Sequence, residues 1–289
     1  MGCGTFTVGD LTAVIGDNAE HGAHRKGYNG VFSLTSRHHG ETLFVPAYAG
    51  LNLEHVFDGA AFDRDAILEP RVAPMTFERV DAATARLHEP PTPRFGLEST
   101  TTFTLREPHY IDMTFECVPR EDVYAHGYIG LFWASYINAP LDKSIYFLSG
   151  DRWAQFCTQR HNDESTVLPS DETERMPEFT GDHPDMLYTN ASPLRFYEPF
   201  YYGRFHDMAY ILMFDGSSGV RFSHSPSGGG NSGEARTTNP AWDFQFIVPE
   251  YSVGETYGFR ARVAYKPFAG REHVLDEVSK RRAELNGSR

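Results

Sequence analysis

The sequence predicts an all-β protein closed by a single C-terminal helix. Three observations carry this expectation. Apolar residues recur at every second position in several segments, the spacing of half-buried strands. Aromatic residues make up 14% of the 289 residues and stand among 26 Gly and 18 Pro, a mixture of strand formers and turn formers. Helical spacing is convincing only near the end of the chain.

Taken in order, Val31 to Arg37 alternates as a strand and leaves Arg37, His38 and His39 at its end. Leu51, Leu53 and Val56 are expected inward, with Asn52 and Glu54 sharing the opposite face. Ser99 to Leu105 is a Thr-rich strand. Ile111, Met113, Phe115 and Cys117 then alternate with Asp112, Thr114 and Glu116. The continuous apolar runs Tyr128 to Tyr136 and Ala209 to Phe214 suit strands covered on both faces. Met208 to Phe214, the turn-forming Asp215 to Gly219, and Val220 to His224 together predict a hairpin. Trp242, Phe244, Phe246 and Val248 alternate with Asp243 and Gln245, and Tyr257 to Tyr265 repeats the pattern against Arg260 and Arg262. The helix is expected over about 271–286: it follows Pro267 and Gly270, spaces Val274, Val278 and Leu285 along one side, and stops near Asn286-Gly287. His161 to Asn190 and Pro226 to Pro240 read as long loops, either functional lids or plain surface insertions. Strand patterns resume unchanged on each side of both, so the sequence predicts one domain, 1–289.

Acidic residues outnumber basic ones by 39 to 26, a net charge of −13. That balance argues against nucleic-acid binding and against an anionic membrane surface, both of which require clustered Lys and Arg. Cys3, Cys117 and Cys157 form neither a disulfide framework nor a zinc-binding Cys-x-x-Cys pattern, which points to reduced thiols and a cytoplasmic location. The N-terminus lacks the basic region of a secretory signal. The longest uncharged stretch, 127–141, is shorter than the roughly 20 apolar residues a membrane helix needs and contains Ser135, Asn138 and Pro140. Composition leaves a homo-oligomer open.

Three groups of residues could carry chemistry. The first gathers Arg37, His38, His39, Tyr48, Asn52 and Glu54, enough for proton transfer beside a group that stabilises negative charge. The plainer reading pairs Arg37 with Glu54 and leaves the histidines solvated. The second is Arg204, His206 and Asp207, with His224 on the next strand. His206 and Asp207 are adjacent, so on a strand they face opposite ways, and His224 shares a face with Val220 and Phe222, where a satisfied core histidine is the commoner outcome. The third is aromatic. Trp133, Trp153 and Trp242 could stack on the C–H faces of a sugar ring, or could simply fill a core. There is no Gly-x-Gly-x-x-Gly, P-loop, Gly-x-Ser-x-Gly or His-Glu-x-x-His motif. No cofactor is therefore expected. A divalent metal stays open, because His38-x-x-Glu41 and Glu54-His55 offer ligands without a clean set of three.

Asn29-Gly30-Val31-Phe32, Leu43-Phe44-Val45-Pro46 and Gly50-Leu51-Asn52-Leu53 resemble the opening of galactose mutarotase-like (aldose 1-epimerase-like) proteins. Val253-Gly254-Glu255-Thr256-Tyr257 through Tyr265 is similar to that family's closing strand, and Ser99 to Leu105 with Ile111 to Cys117 to its middle strands. The resemblance implies a β-supersandwich, two large antiparallel sheets with a sugar cleft on one concave sheet. A jelly-roll sandwich is the alternative. The mutarotase-like resemblance sets His126 to Trp133 against the family's central histidine segment and Asp243 near its late glutamate base. The expected activity is general acid–base chemistry on a sugar, of epimerase or isomerase type. The catalytic candidates are His39, Glu54, His206, His224 and Asp243. The saccharide-binding candidates are Arg37, His38, Tyr48, Asn52, His126, Trp133, Trp153, Arg204 and Trp242. A polysaccharide lyase or glycoside hydrolase on a related sandwich, and a non-catalytic carbohydrate-binding protein, are the alternatives.

Overall fold

The computed structural model describes residues 2–158, 163–171, 176–181, 187–226 and 239–287. In chain order its strands are β1 (Cys3–Val8), β2 (Leu11–Gly16), β3 (Gly30–Ser36), β4 (Asn52–Phe57), β5 (Thr76–Arg79), β6 (Thr84–Glu89), β7 (Leu97–Arg106), β8 (Tyr110–Pro119) and β9 (Ile129–Ala134). They continue as β10 (Ile145–Ser149), β11 (Arg152–Phe156), β12 (Thr166–Pro169), β13 (Ala191–Phe196), β14 (Phe200–Phe205), β15 (Met208–Phe214), β16 (Val220–Ser225), β17 (Ala241–Val248) and β18 (Tyr257–Pro267). Two single-turn helices, α1 (Arg64–Ile67) and α2 (Glu69–Val72), follow β4, and α3 (Arg271–Gly287) closes the chain.

These strands form two large sheets, as expected. One has nine strands in the order β11-β10-β14-β15-β18-β8-β7-β6-β5, the other six in the order β13-β12-β16-β17-β9-β4. Two features go beyond the expectation: β1, β2 and β3 make a third, three-stranded sheet, and β12 pairs with β13 in parallel. The shared core is aromatic. Trp133 stacks on Phe244 with centroids 5.0 Å apart, and Phe115 meets Trp133 edge-on at 4.8 Å. Removing one such ring costs about 3–5 kcal/mol.

The hairpin expected from Met208 to His224 does not form. β15 lies in the nine-stranded sheet between β14 and β18, whereas β16 lies in the six-stranded sheet between β12 and β17. Asp215 to Gly219 therefore crosses between sheets. Alternation and a turn signal specify two strands and a reversal, but not which sheet each strand joins. The real hairpin is β14–β15, and its two-residue turn is His206-Asp207, with His206 at φ 54°. Those two residues are thus turn residues rather than opposite faces of a strand.

Alternation along β17 sorts its side chains between the two faces of the six-stranded sheet. Trp242, Phe244, Phe246 and Val248 point into the shared core, which sends Asp243 and Gln245 to the outer face. On the outer face of the nine-stranded sheet, α3 buries Val274 and Val278 against Tyr110, Tyr202, Ile211 and Met213.

Candidate functional site

The outer face of the six-stranded sheet carries an array of buried polar side chains. Thr166, Ser223 and Asp243 lie abreast on β12, β16 and β17, and Arg221, Gln245 and Phe132 form the adjoining row across β16, β17 and β9. Gln245 donates its amide to Thr166 Oγ1 and Ser223 Oγ, both at 2.8 Å. The Ser135 backbone N–H donates to Asp243 Oδ1 at 2.9 Å.

At the sheet edge β4 supplies Asn52 and Glu54. A register shift between Leu53 and His55 keeps Leu53 and Val56 in the core and turns Glu54 outward. The Tyr136 hydroxyl, two residues past β9, donates to the Glu54 carboxylate and lies 2.8 Å from each oxygen. Arg71 Nη1 is 3.2 Å from Oε1. Arg71 comes from α2, which is pinned on both sides. The Glu69 carboxylate accepts the backbone N–H groups of Arg94 (2.7 Å) and Phe95 (3.2 Å), and Asn18 Nδ2 donates to the carbonyls of Pro70 and Ala73. The Arg71 guanidinium also lies over the Tyr28 ring, 4.2 Å from its centroid, and its Nε donates to the Gly27 carbonyl. Tyr28, Tyr48 and Tyr136 pack within 4.8–5.6 Å of one another beside it.

Burial dominates the electrostatics. It pushes Glu54 above the usual carboxylate range, while Arg71 and Tyr136 pull it back. It drives Asp243 well above that range, opposed by the Ser135 N–H and reinforced by the charge of Glu54. Tyr136 rises for the same reasons, burial first and then Glu54. His55, beside Phe132 and Tyr188, is depressed to about 3 by burial and by Arg71 and is neutral near pH 7. Asn52 Nδ2, His55 Nδ1 and Gln245 Oε1 are buried and have no hydrogen-bond partner among the described residues. The face therefore combines two protonatable carboxyls with donors and acceptors suited to hydroxyl groups.

Of the residues singled out from sequence, Asn52, Glu54 and Asp243 meet on this face, with Tyr48 in the tyrosine cluster beside it. The others lie elsewhere. Arg37 pairs with Asp10 at 2.9 Å, not with Glu54, and His38 lies 3.4 Å from the same carboxylate. Trp133 and Trp242 point into the core between the sheets, the opposite side of the six-stranded sheet from Asp243, so neither can stack on a ligand at its outer face; the alternation that turns Asp243 outward turns Trp242 inward. Trp242 donates its indole N–H to the Lys143 carbonyl. His224 is a satisfied interior histidine: its Nε2 lies 2.8 Å from the Lys143 carbonyl, its Nδ1 3.0 Å from Thr158 Oγ1, and burial lowers it to about 4. His126 contacts Thr180 Oγ1 at 2.8 Å. Arg204 lies over Phe268, and Trp153 packs against Phe200, Tyr202 and Arg271 under α3. His39 and His206 meet Glu41 at a separate location. The two long loops fall partly on 159–162, 172–175, 182–186 and 227–238, outside the described residues.

Sequence reasoning missed Arg71, Tyr28 and Tyr136. Arg71 sits in a four-residue helix with no periodic signal, and Tyr136 ends an apolar run in which a hydroxyl does not stand out. No helix among the described residues is long and apolar enough to cross a membrane.

No family model matches the sequence, and no curated protein matches it. Solved structures do. An aldose 1-epimerase candidate from Escherichia coli K12 superposes with a TM-score of 0.55 at 8% identity, over 92% of this chain and 99% of that one. A galactose mutarotase-like protein from Lactobacillus casei gives 0.53 at 9% identity, over 91% and 100%. An aldose epimerase homologue from C. elegans gives 0.53 at 9% identity, over 92% and 99%. The chain accordingly has the β-supersandwich fold of galactose mutarotase-like proteins, on a sequence with few residues in common with theirs.

Proposed function

We propose that the protein is a carbohydrate-active enzyme of epimerase or isomerase type that works on the outer face of the six-stranded sheet. One observation carries the reading: Glu54 and Asp243, distant in sequence, share that face, and burial lifts both above the ordinary carboxylate range. Asp243 is the proton donor, because its surroundings favour the neutral acid most strongly. Glu54 is the acceptor, since Arg71 and the Tyr136 hydroxyl support its ionised form. In anomer exchange, Glu54 takes the proton of the anomeric hydroxyl while Asp243 protonates the ring oxygen. The bond between the anomeric carbon and the ring oxygen then breaks, and reclosure on the other face returns both protons. Asn52, His55 and Gln245 offer hydroxyl partners, and half-buried Tyr48 offers a ring for stacking. Cys3, Cys117 and Cys157 are thiols rather than disulfides, which supports a cytoplasmic setting.

The test is exchange NMR on a panel of neutral, phosphorylated and uronic aldoses. The wild type is expected to interconvert anomers or epimers of at least one sugar, and Glu54→Gln or Asp243→Asn to lower turnover by roughly 10²- to 10⁴-fold. Asp243→Asn mimics the neutral acid, so the fold is retained. A wild type that binds sugars without converting them overturns the reading in favour of a binding protein. Release of an unsaturated or hydrolysed product from neutral or uronic oligosaccharides run beside the panel overturns it in favour of a lyase or hydrolase.

A further inference from the structure

A second constellation lies at the end of the nine-stranded sheet. The β14–β15 turn presents His206, and the turn after β3, closed by paired backbone hydrogen bonds between Ser36 and His39, brings His39 against it. The two imidazoles stack with centroids 4.8 Å apart at 26°, and Phe205 backs His39 edge-on at 5.4 Å. Glu41 Oε2 lies 3.4 Å from His206 Nε2 and 4.0 Å from His39 Nε2.

We propose that His39 Nε2, His206 Nε2 and Glu41 Oε2 bind a zinc ion that ties the three-stranded sheet to the β14–β15 hairpin. Two imidazoles and one carboxylate form a donor set of the borderline kind that suits zinc. Ligands about 2.0–2.2 Å from a tetrahedral zinc stand roughly 3.4 Å from one another. The His206–Glu41 separation meets that spacing, each of the three residues offers a ligand atom within 4.8 Å of those of the other two, and rotation of the half-exposed Glu41 side chain closes the wider His39–Glu41 gap.

The surroundings orient the donors. His39 Nδ1 lies 3.7 Å from Asp207 Oδ1, beyond hydrogen-bond distance, and the exposed Asp207 side chain is placed to close on Nδ1–H when the Nε2 lone pair takes a metal. That Nε2 is buried and has no hydrogen-bond partner among the described residues. Glu41 Oε1 accepts from Asn138 Nδ2 at 3.2 Å, which leaves Oε2 toward the histidines. His206 and Glu41 are 34% and 52% exposed, so a metal has a path in and water can take a fourth position. His38 is turned to Asp10 and takes no part.

Calorimetric titration of the full chain with zinc chloride, and the absorption spectrum with cobalt(II), test this. The wild type is expected to bind one equivalent, to show tetrahedral cobalt bands, and to melt at higher temperature with zinc. His206→Asn, chosen because Asn tolerates the positive φ, and Glu41→Gln should each weaken binding at least tenfold and lose the cobalt bands. Asp207→Asn should weaken it about 10- to 100-fold. His38→Ala should change nothing. Wild-type affinity and spectrum retained in His206→Asn and Glu41→Gln, or no binding by the wild type, would falsify the site.

Discussion

The two large sheets each carry a buried polar outer face, and the two are built on opposite principles. Between α3 and the nine-stranded sheet, Lys266 and Arg262 of β18, Asp112 of β8 and Glu277 of α3 each meet an opposite charge. Glu277 accepts from Lys266 at 2.5 Å and from the Tyr110 hydroxyl at 2.7 Å, and Arg262 bridges Asp112 and Glu284. Burial would raise Glu277, but His109, Lys266 and Tyr110 overcome it and hold the carboxyl far below its usual range. On the six-stranded sheet burial wins, and Glu54 and Asp243 rise. The same chemical group, shielded from water on both sides, is locked in its charged form on one and shifted toward its neutral form on the other. Partner supply, rather than burial alone, decides whether a buried carboxyl is charged or neutral.

That contrast can be broken by substitution. Glu54→Gln is expected to abolish nearly all turnover with the smaller loss of melting temperature, because Gln keeps the shape of the side chain and Arg71, left without its carboxylate, is partly exposed and still donates to the Gly27 carbonyl. Glu277→Ala is expected to do the reverse, because it strands the charge of Lys266; breaking such a pair costs about 3–5 kcal/mol. Thermal melts and turnover measured on both variants check the pair. Glu277→Ala abolishing activity in a chain that still folds would erase the distinction.

Glu89 offers a sharper case within the nine-stranded sheet. Its Oε1 has no hydrogen-bond partner among the described residues, and burial together with the charge of Glu69 lifts the carboxyl to about 8. The folded state therefore holds this proton more tightly than the unfolded chain does. The stabilisation is complete below the ordinary glutamate value of 4.5 and is lost as pH rises toward 8, a decline of a few kcal/mol. Chemical denaturation across that range should show the loss, and Glu89→Gln should flatten it. His224 acts in the opposite sense. Its folded value is depressed to about 4, so its contribution is full above 6.5 and is lost as pH falls through the window. His224→Asn should reduce the slope of acid unfolding between those values. The smallest effect belongs to Arg37, which is 69% exposed beside Asp10. Arg37→Ala should cost less than about 1 kcal/mol and leave turnover intact.

Much of the fold and part of the site were legible in the sequence, for a physical reason. Alternation reports the face of each residue, so Asp243 and Gln245 outward and Trp242 and Phe244 inward follow from one pattern, as do Asn52 and Glu54 against Leu53; Val56 turns inward only through the register shift after Leu53. Alternation does not report which strands become neighbours. The β15–β16 crossover and the true turn at His206-Asp207 therefore lay beyond it, and with them the separation of His206 and His224 from Glu54. Arg71 was illegible because it reaches Glu54 through tertiary pinning of a single helical turn by Asn18 and Glu69. The tryptophans misled because an aromatic ring reads alike in a sugar cleft and in a sheet interior.

The most direct test follows the carboxyl C=O stretch by infrared difference spectroscopy through a pH titration, with Glu54→Gln, Asp243→Asn and Glu277→Gln assigning the bands. The Asp243 band is expected to persist as a protonated carboxyl well above the ordinary carboxylate range and the Glu54 band to ionise later than an ordinary glutamate, with the Glu277 band absent at pH 4.5. Ionisation of Glu54 and Asp243 at or below that pH, alongside Glu277, would contradict the division of labour between the two faces.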